Sequence, residues 1–125
     1  MSGKILGVMS DLFFTVKIID AAKKIGLTAE FVKEKPRALE KAKDGPAMIV
    51  VDLNCDAADP LRLIAAIKGN PETSAIPMIG FVSHVQVELK QKAEAAGCDT
   101  VVARSVFAER LPDLLANAAS SPAAD

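Results

Sequence analysis

Short runs of apolar residues alternate along the chain with longer segments in which apolar residues recur at helical spacing. The short runs predict five β-strands, at residues 4–9, 28–32, 47–51, 77–82 and 100–103. The longer segments predict helices, because their apolar residues fall on one helical face. In the first of them Phe14, Ile18 and Ile25 share such a face, and Gly26 ends the helix.

Two of the predicted strands indicate their place in a sheet. Residues 47–51 are apolar without alternation, as is typical of a central parallel strand that is covered on both faces. Residues 28–32 place Glu30 beside two apolar residues, which suits a strand at the edge. Five strands and five helices in strict alternation, joined by right-handed crossovers, leave few topologies. We therefore predict a flavodoxin-like, doubly wound α/β fold with a parallel sheet in the order 2-1-3-4-5 and three α/β/α layers.

The size and charge of the chain limit the number of domains it can form and the classes of partner it can bind. The chain has 125 residues, of which half are hydrophobic, and we expect one domain at residues 1–119 with a flexible tail at residues 120–125. A net charge of −1 gives no strong field for nucleic acid or anionic lipid. No apolar run approaches the roughly 20 residues of a membrane-spanning helix. We expect a cytoplasmic protein that binds neither nucleic acid nor membrane.

Polar and charged residues follow the predicted strands, where parallel strands end at one edge of the sheet. Ligands of open α/β sheets bind beyond this edge, so we expect the residues there to line a common site. They are Met9, Ser10 and Asp11 after the first strand, Asp52 and Asn54 after the third, Val82, Ser83 and His84 at the end of the fourth, and Arg104 and Ser105 after the fifth.

These positions resemble the receiver domain of bacterial response regulators over residues 4–115. Residues 49–54, Ile-Val-Val-Asp-Leu-Asn, look like the receiver segment around the phosphate-accepting aspartate. Residues 95–99, Ala-Ala-Gly-Cys-Asp, look like the turn that precedes the fifth receiver strand. The resemblance implies that Asp52 is the phosphoacceptor position and that Asn54 offers a backbone carbonyl to Mg²⁺.

The resemblance is incomplete where receiver domains bind their metal. The family has an acidic pair after the first strand, where this chain has Met9 and Ser10, with Asp11 displaced by one position. Mg²⁺ demands several oxygen ligands in a nearly octahedral arrangement, and phosphoryl transfer depends on that ion. Asp52 and Asp11 are the carboxylates that could hold Mg²⁺ here. The sequence therefore weakens the case for Mg²⁺, and we expect no required cofactor.

The two remaining functional positions also differ from the family pattern. Alignment without a gap puts Val82 at the Thr/Ser position, whereas a shift of one residue would supply Ser83. Arg104-Ser105 stands where Lys-Pro is expected. Val82 cannot donate a hydrogen bond to a phosphoryl oxygen. Arg104 keeps a cation near Asp52 and could pair bidentately with that carboxylate without phosphate, which would resemble a permanently set switch.

Several of these residues also have an ordinary structural explanation. Asp52 could cap the loop after a buried strand, and Arg104 could form an ion pair at the sheet edge. His84, the only histidine, could be a solvated loop residue or a general base, and Cys55 could share its edge. Cys98 precedes the fifth strand and belongs to the opposite edge, so we expect both cysteines to be small, buried and reduced.

Three functions remain open on the sequence. The first is a stand-alone, atypical receiver that acts through protein–protein interaction, with Val106 and Phe107 at the start of the usual receiver contact face. Its partner would be a histidine kinase or another signalling protein in trans, or a second copy in a homodimer.

The other two functions use the crevice itself. One is a phosphorylatable single-domain response regulator that accepts phosphate on Asp52 and uses Asp11 as a substitute metal ligand. The other is a small-molecule-binding or enzymatic domain that uses Asp52, His84, Cys55 and Arg104. The spacing identifies no catalytic pair, and we expect no enzymatic activity.

Overall fold

The computed structural model of the chain describes residues 3–83 and 86–119, and its centre is a five-stranded sheet. All neighbouring strands pair in parallel, in the order β2-β1-β3-β4-β5. The strands are β1 (Lys4–Val8), β2 (Thr28–Val32), β3 (Met48–Asp52), β4 (Met78–Val82) and β5 (Thr100–Ala103). The predicted topology is confirmed. The predicted tail at residues 120–125 lies outside the described part of the chain.

Helices cover both faces of the sheet and complete the three predicted layers. They are α1 (Leu12–Lys24), α2 (Lys35–Ala42), α3 (Pro60–Lys68), α4 (Val87–Ala96), α5 (Arg104–Glu109) and α6 (Leu111–Ala119), with one 3-10 turn at Asp56–Ala58. Successive residues of a strand point to opposite faces. Ile49 therefore joins a core with α2, α3 and α4, whereas Val50 joins a core with α1, α5 and α6.

The burial of the strands matches their predicted places. All five residues of β3 are buried, as expected for the central strand. In the edge strand β2, Glu30 forms ion pairs with Lys4 at 3.0 Å and with Lys41 at 3.1 Å. These pairs keep a polar side chain on the solvent side of the edge.

The end of the chain differs from its prediction as one helix. The structure has two helices there, because α5 ends at Glu109 and α6 begins at Leu111. Pro112 lacks an N–H group and its ring conflicts with the carbonyl one turn earlier, so a continuous helix is interrupted just before it. Phe107, Leu111 and Leu115 are nevertheless all buried in the same core. Among the described helices, none combines the length and the apolar character that a membrane span needs.

Candidate functional site

The carboxyl edge of the sheet brings together residues from four strands, and Asp52 is the most buried carboxylate there. It is the last residue of β3 and is 7% exposed. Its Oδ1 accepts a hydrogen bond from the backbone N–H of Asn54 at 2.9 Å. Burial raises the pKa of Asp52, and the nearby charge of Asp11 adds to this. The Asn54 hydrogen bond and the Arg104 charge only partly offset it.

The position of the first acidic residue in the family pattern is occupied by a core side chain. Met9 is 2% exposed and packs in the same core as Ile5 and Phe14. Ser10, which follows it, is exposed. Neither residue offers the carboxylate oxygen that Mg²⁺ prefers.

Asp11 is engaged in positioning two helices. Its Oδ1 accepts the N–H of Phe14 at 3.2 Å and caps the start of α1, and its Oδ2 accepts a terminal amino group of Arg104. Burial alone would raise the pKa of Asp11, but the hydrogen bond from Arg104, the backbone N–H of Phe14 and the Arg104 charge together lower it. Both carboxylate oxygens therefore already have donors.

The carboxylates of this edge do not fit a magnesium centre. Asp11 turns its oxygens to Arg104 and to the helix cap, and Asp52 turns one oxygen to a backbone N–H. Within residues 3–83 and 86–119, no group of three or more His, Cys, Asp or Glu side chains could hold a metal ion. The predicted use of Asp11 as a metal ligand therefore has no geometric support.

Arg104 pairs with Asp11, which is the ion pair at the sheet edge that the sequence left open beside a bidentate pair with Asp52. Its guanidinium carbon lies 4.6 Å from the ring centre of Phe14 and 5.9 Å from that of Phe81. The rings of Phe14, Phe81 and Phe107 contact one another, with centres 4.7 to 5.3 Å apart. The cation is thus held between a carboxylate and an aromatic cluster. Asp11 forms the pair because it is less buried than Asp52 and has an oxygen free of the cap.

The side chain of Asn54 joins the loops after β3 and β4. Its Oδ1 accepts the N–H of Ser83 at 3.0 Å and the hydroxyl of Ser83 at 3.3 Å, and its Nδ2 donates to Oε1 of Gln86 at 2.8 Å. Val82 is buried, so Ser83 carries the hydroxyl at this edge. The sequence did not identify Gln86 as a partner of Asn54, because the two residues are 32 positions apart and no local pattern links them. His84 lies outside the described residues.

The predicted contact face at Val106 and Phe107 needs a correction. Phe107 is fully buried, because its ring stacks on Phe81 with centres 4.7 Å apart and planes 14° apart. Val106 is 36% exposed, and Ser105 beside it is exposed. Phe107 therefore stabilises the core and is not available to a partner.

Helix α1 carries an apolar surface that the sequence did not identify. Leu12 is 78% exposed, Phe13 57%, Val16 65% and Ile19 37%; these four residues are called the α1 surface below. They lie opposite the buried residues Phe14 and Ile18 of the same helix. The available signal was the run Leu-Phe-Phe-Thr-Val-Lys-Ile-Ile, which is apolar on more than one helical face.

The two cysteines are buried and free, as predicted. Burial raises the pKa of the Cys98 thiol to about 11, so it is protonated at neutral pH. The Cys55 sulfur lies 3.7 Å from the backbone carbonyl of Lys33.

Comparison with known proteins identifies the fold. No protein-family model matches the chain, and no curated protein matches it. Among solved structures, a response regulator from Hahella chejuensis is 19% identical, with a TM-score of 0.84 over 94% of this chain and 95% of that one. The chemotaxis response regulator CheY4 of Vibrio cholerae is 18% identical, with a TM-score of 0.80 over 94% and 99% of the two chains.

A third similar structure is the receiver domain of a signal transduction histidine kinase from Syntrophus aciditrophicus. It is 19% identical, with a TM-score of 0.81 over 94% of this chain and 90% of that one. At these identities the likeness concerns the fold. The chain has the CheY-like fold of response regulator receiver domains.

Proposed function

We propose that this chain is an atypical receiver-like signalling domain that acts by binding a partner protein through the α1 surface, without phosphorylation of Asp52 and without catalysis of its own. The observation that carries the proposal is the exposure of four large apolar side chains on one helix, 37% to 78% each. Contiguous apolar patches on soluble domains are typical of interaction sites.

The spacing of the α1 surface suits a helical partner. Leu12, Val16 and Ile19 are separated by four and three residues, which places them along one side of the helix. Amphipathic helices use apolar residues at this spacing to contact a groove or another helix. The α1 surface can therefore pack against an apolar helix face of another protein.

The charges around the α1 surface indicate the character of that partner. Lys17, Lys23 and Lys24 are exposed on α1, whereas Asp20 is its only exposed acid and lies 3.5 Å from Lys24. The net charge around the α1 surface is therefore positive. A partner helix with an apolar face and acidic flanks fits best, because complementary charge speeds encounter and disfavours wrong partners. Such a helix would belong to a histidine kinase or another signalling protein.

The state of the carboxyl edge supports signalling without phosphate. Mg²⁺ has no fitting set of ligands among the described residues, and Asp11 already neutralises Arg104. The loop after β4, which in receiver domains would contact the phosphoryl group, is instead bonded to Asn54. These contacts give the loop a hydrogen-bonding partner other than a phosphoryl group, which supports the proposal.

The experiment is site-specific photo-crosslinking from the α1 surface in the source cells. A photoreactive residue at position 16 is expected to trap a partner that the same residue at position 87 does not trap. Val87 is the matched control, since it is 63% exposed and lies on α4. The purified partner is expected to bind Val16→Ser roughly tenfold or more weakly, which is the usual effect of truncating a contact residue. It is expected to bind Val87→Ser with unchanged affinity.

Two results would contradict the proposal. Equal affinity of the partner for Val16→Ser and the unmodified chain would remove the α1 surface from the interaction. A cross-linked product made of two copies of this chain would replace the partner in trans by a homodimer.

A further inference from the structure

A cleft opens between the start of α1 and helix α5, beside the Arg104 guanidinium. Its volume is about 450 Å³, which falls within the range of small-molecule pockets, roughly 300–1,000 Å³. The cleft therefore has room for a ligand larger than a phosphate group. Its lining consists of Phe13, Phe14, Ser83, Arg104, Ser105 and Ala108.

The polar part of the lining is the Arg104 guanidinium, whose charge is shared with Asp11 but whose N–H groups are not all used by it. A guanidinium has five N–H donors. One terminal amino group of Arg104 bonds to Asp11, and the side chain stays 41% exposed. The ring of Phe14 lies beneath it at 4.6 Å, so its orientation is set before a ligand arrives. The exposed Ser105 adds a hydroxyl donor beside it.

The rest of the lining is apolar and largely aromatic. The ring of Phe13 is more than half exposed and packs edge-on against Phe14, with ring centres 5.1 Å apart. The methyl group of Ala108 lies on the α5 side of the cleft. The Lys17 Nζ lies 5.3 Å from the centre of the Phe13 ring, so a flat apolar group packs on the part of the ring that Lys17 leaves uncovered, in an offset or edge-on arrangement.

We infer that this cleft binds a small organic anion, a carboxylate or a phosphate monoester carried on a flat apolar body. The anionic group pairs with Arg104, whose planar fork matches carboxylate and phosphate oxygens. The apolar body packs on Phe13. Asp52 is buried and does not line the cleft, so it does not present a second carboxylate to the anion.

The site also has a consequence for the surface of α1. Phe13 belongs both to the cleft and to the α1 surface, so a ligand packed on its ring changes what a partner meets. The anion then regulates partner docking, and this consequence rests on the proposed function. Ligand binding itself does not depend on it.

The test is an NMR titration of the isotope-labelled chain, without any partner, with four probes. Phenyl phosphate and benzoate carry both an anion and a ring, benzamide carries the ring alone, and inorganic phosphate carries the anion alone. We expect saturable shifts of the amides around residues 13 and 104–108 with the first two. We expect affinities roughly tenfold or more weaker for benzamide, which lacks the charge-assisted hydrogen bond, and for inorganic phosphate, which lacks the ring packing.

Variants decide whether the named residues hold the ligand. Arg104→Gln is expected to weaken phenyl phosphate binding roughly tenfold, whereas Arg110→Gln, an exposed arginine outside the cleft, leaves it unchanged. Phe13→Ala keeps the test valid if Arg104→Gln fails to fold, since an exposed ring is dispensable for the core. Equal shifts from all four probes, shifts that do not saturate, or unchanged affinity in both cleft variants would overturn the inference. Because no partner is present, failure here and failure of the α1 docking proposal are separate results.

Discussion

Helices α1 and α5 start at the same edge of the sheet and cover the same face, yet they bury their apolar side chains to different extents. α5 buries its one aromatic side chain, Phe107, completely. α1 buries Phe14 and Ile18 but leaves the four residues of the α1 surface exposed. A helix needs only one apolar side to cover a sheet. The fold does not require the outer side of α1 to be apolar, which is why we propose that a partner covers it.

The sharpest contrast between the helices lies in two phenylalanines. Phe107→Ala should lower the free energy of unfolding by about 3–5 kcal/mol, the usual cost of emptying a buried aromatic site. Phe13→Ala should lower it by less than about 1 kcal/mol, because its ring is mostly outside the core. Urea denaturation of the two variants measures both values. Similar losses would show that α1 and α5 are packed alike.

Asp52 lies near the start of both helices, where the charges of Asp11 and Arg104 act on its pKa. The raised pKa of Asp52 means that folding favours its protonated form, so its ionisation destabilises the folded chain. Asp52→Asn should therefore raise the free energy of unfolding at pH 7 by roughly 0.5–2 kcal/mol, a typical size for one stabilising change. Unmodified stability should fall as pH rises from the ordinary pKa of 3.8 through the raised one, and this slope should vanish in the variant.

Asp56→Asn is the matched control for Asp52. Asp56 follows the same strand but is exposed, and its replacement should change the free energy of unfolding by no more than about 0.5 kcal/mol. Chemical denaturation between pH 4 and 8 separates the two carboxylates. A loss of stability in Asp52→Asn would mean that its charge stabilises the fold.

The contact between Arg104 and Asp11 ties the two helices together and can be broken by Arg104→Gln. The expected loss is about 1 kcal/mol at pH 7, since the pair is partly exposed and screened. The pKa of Asp11 is lowered, so its contribution is fully present above the ordinary value of 3.8 and is lost as pH falls through the folded value. The difference from the unmodified chain should therefore shrink in acid.

Arg110→Gln serves as the control for this pair, because Arg110 is exposed and follows α5. Denaturation at pH 7 and again below pH 4 provides the measurement. A loss in Arg104→Gln that is as large in acid as at neutrality would show that Asp11 is not the partner that matters.

The smallest expected effects compare exposed valines on the two helices. Val16→Ser and Val106→Ser should each change the free energy of unfolding by no more than about 0.5 kcal/mol. Partner binding should nevertheless be roughly tenfold or more weaker in Val16→Ser and unchanged in Val106→Ser, as isothermal titration with the purified partner would measure. Loss of binding in Val106→Ser alone would restore the contact face that the sequence first suggested.

The topology could be predicted because it depends on features that act over whole segments. The unbroken apolar run before Asp52 specifies a central strand, and Gly26 and Gly97 end helices in the left-handed region, with φ of 77° and 116°. The gathering of Asp11, Asp52 and Arg104 at one edge follows directly from parallel strands. The order of the elements and the location of the site can therefore be predicted without knowing how the side chains pack.

The details of the site could not be predicted in the same way. Whether Arg104 pairs with Asp52 or Asp11 depends on relative burial and on which oxygens already have donors, which strand order does not specify. Phe107 is buried because its ring packs against Phe14 and Phe81, a contact that strand order does not specify. The α1 surface was missed because only the inward side of that helix was considered.

The most direct test of the account is whether Asp52 accepts a phosphoryl group. The chain is incubated with acetyl phosphate and Mg²⁺, and separately with the kinase if the cross-linked partner is one, and its intact mass is measured beside that of Asp52→Asn. We expect no mass gain that depends on Asp52, because the described residues of the edge offer no fitting magnesium site and Arg104 is paired with Asp11. A gain of one phosphoryl group in the unmodified chain that is absent from Asp52→Asn would contradict the account.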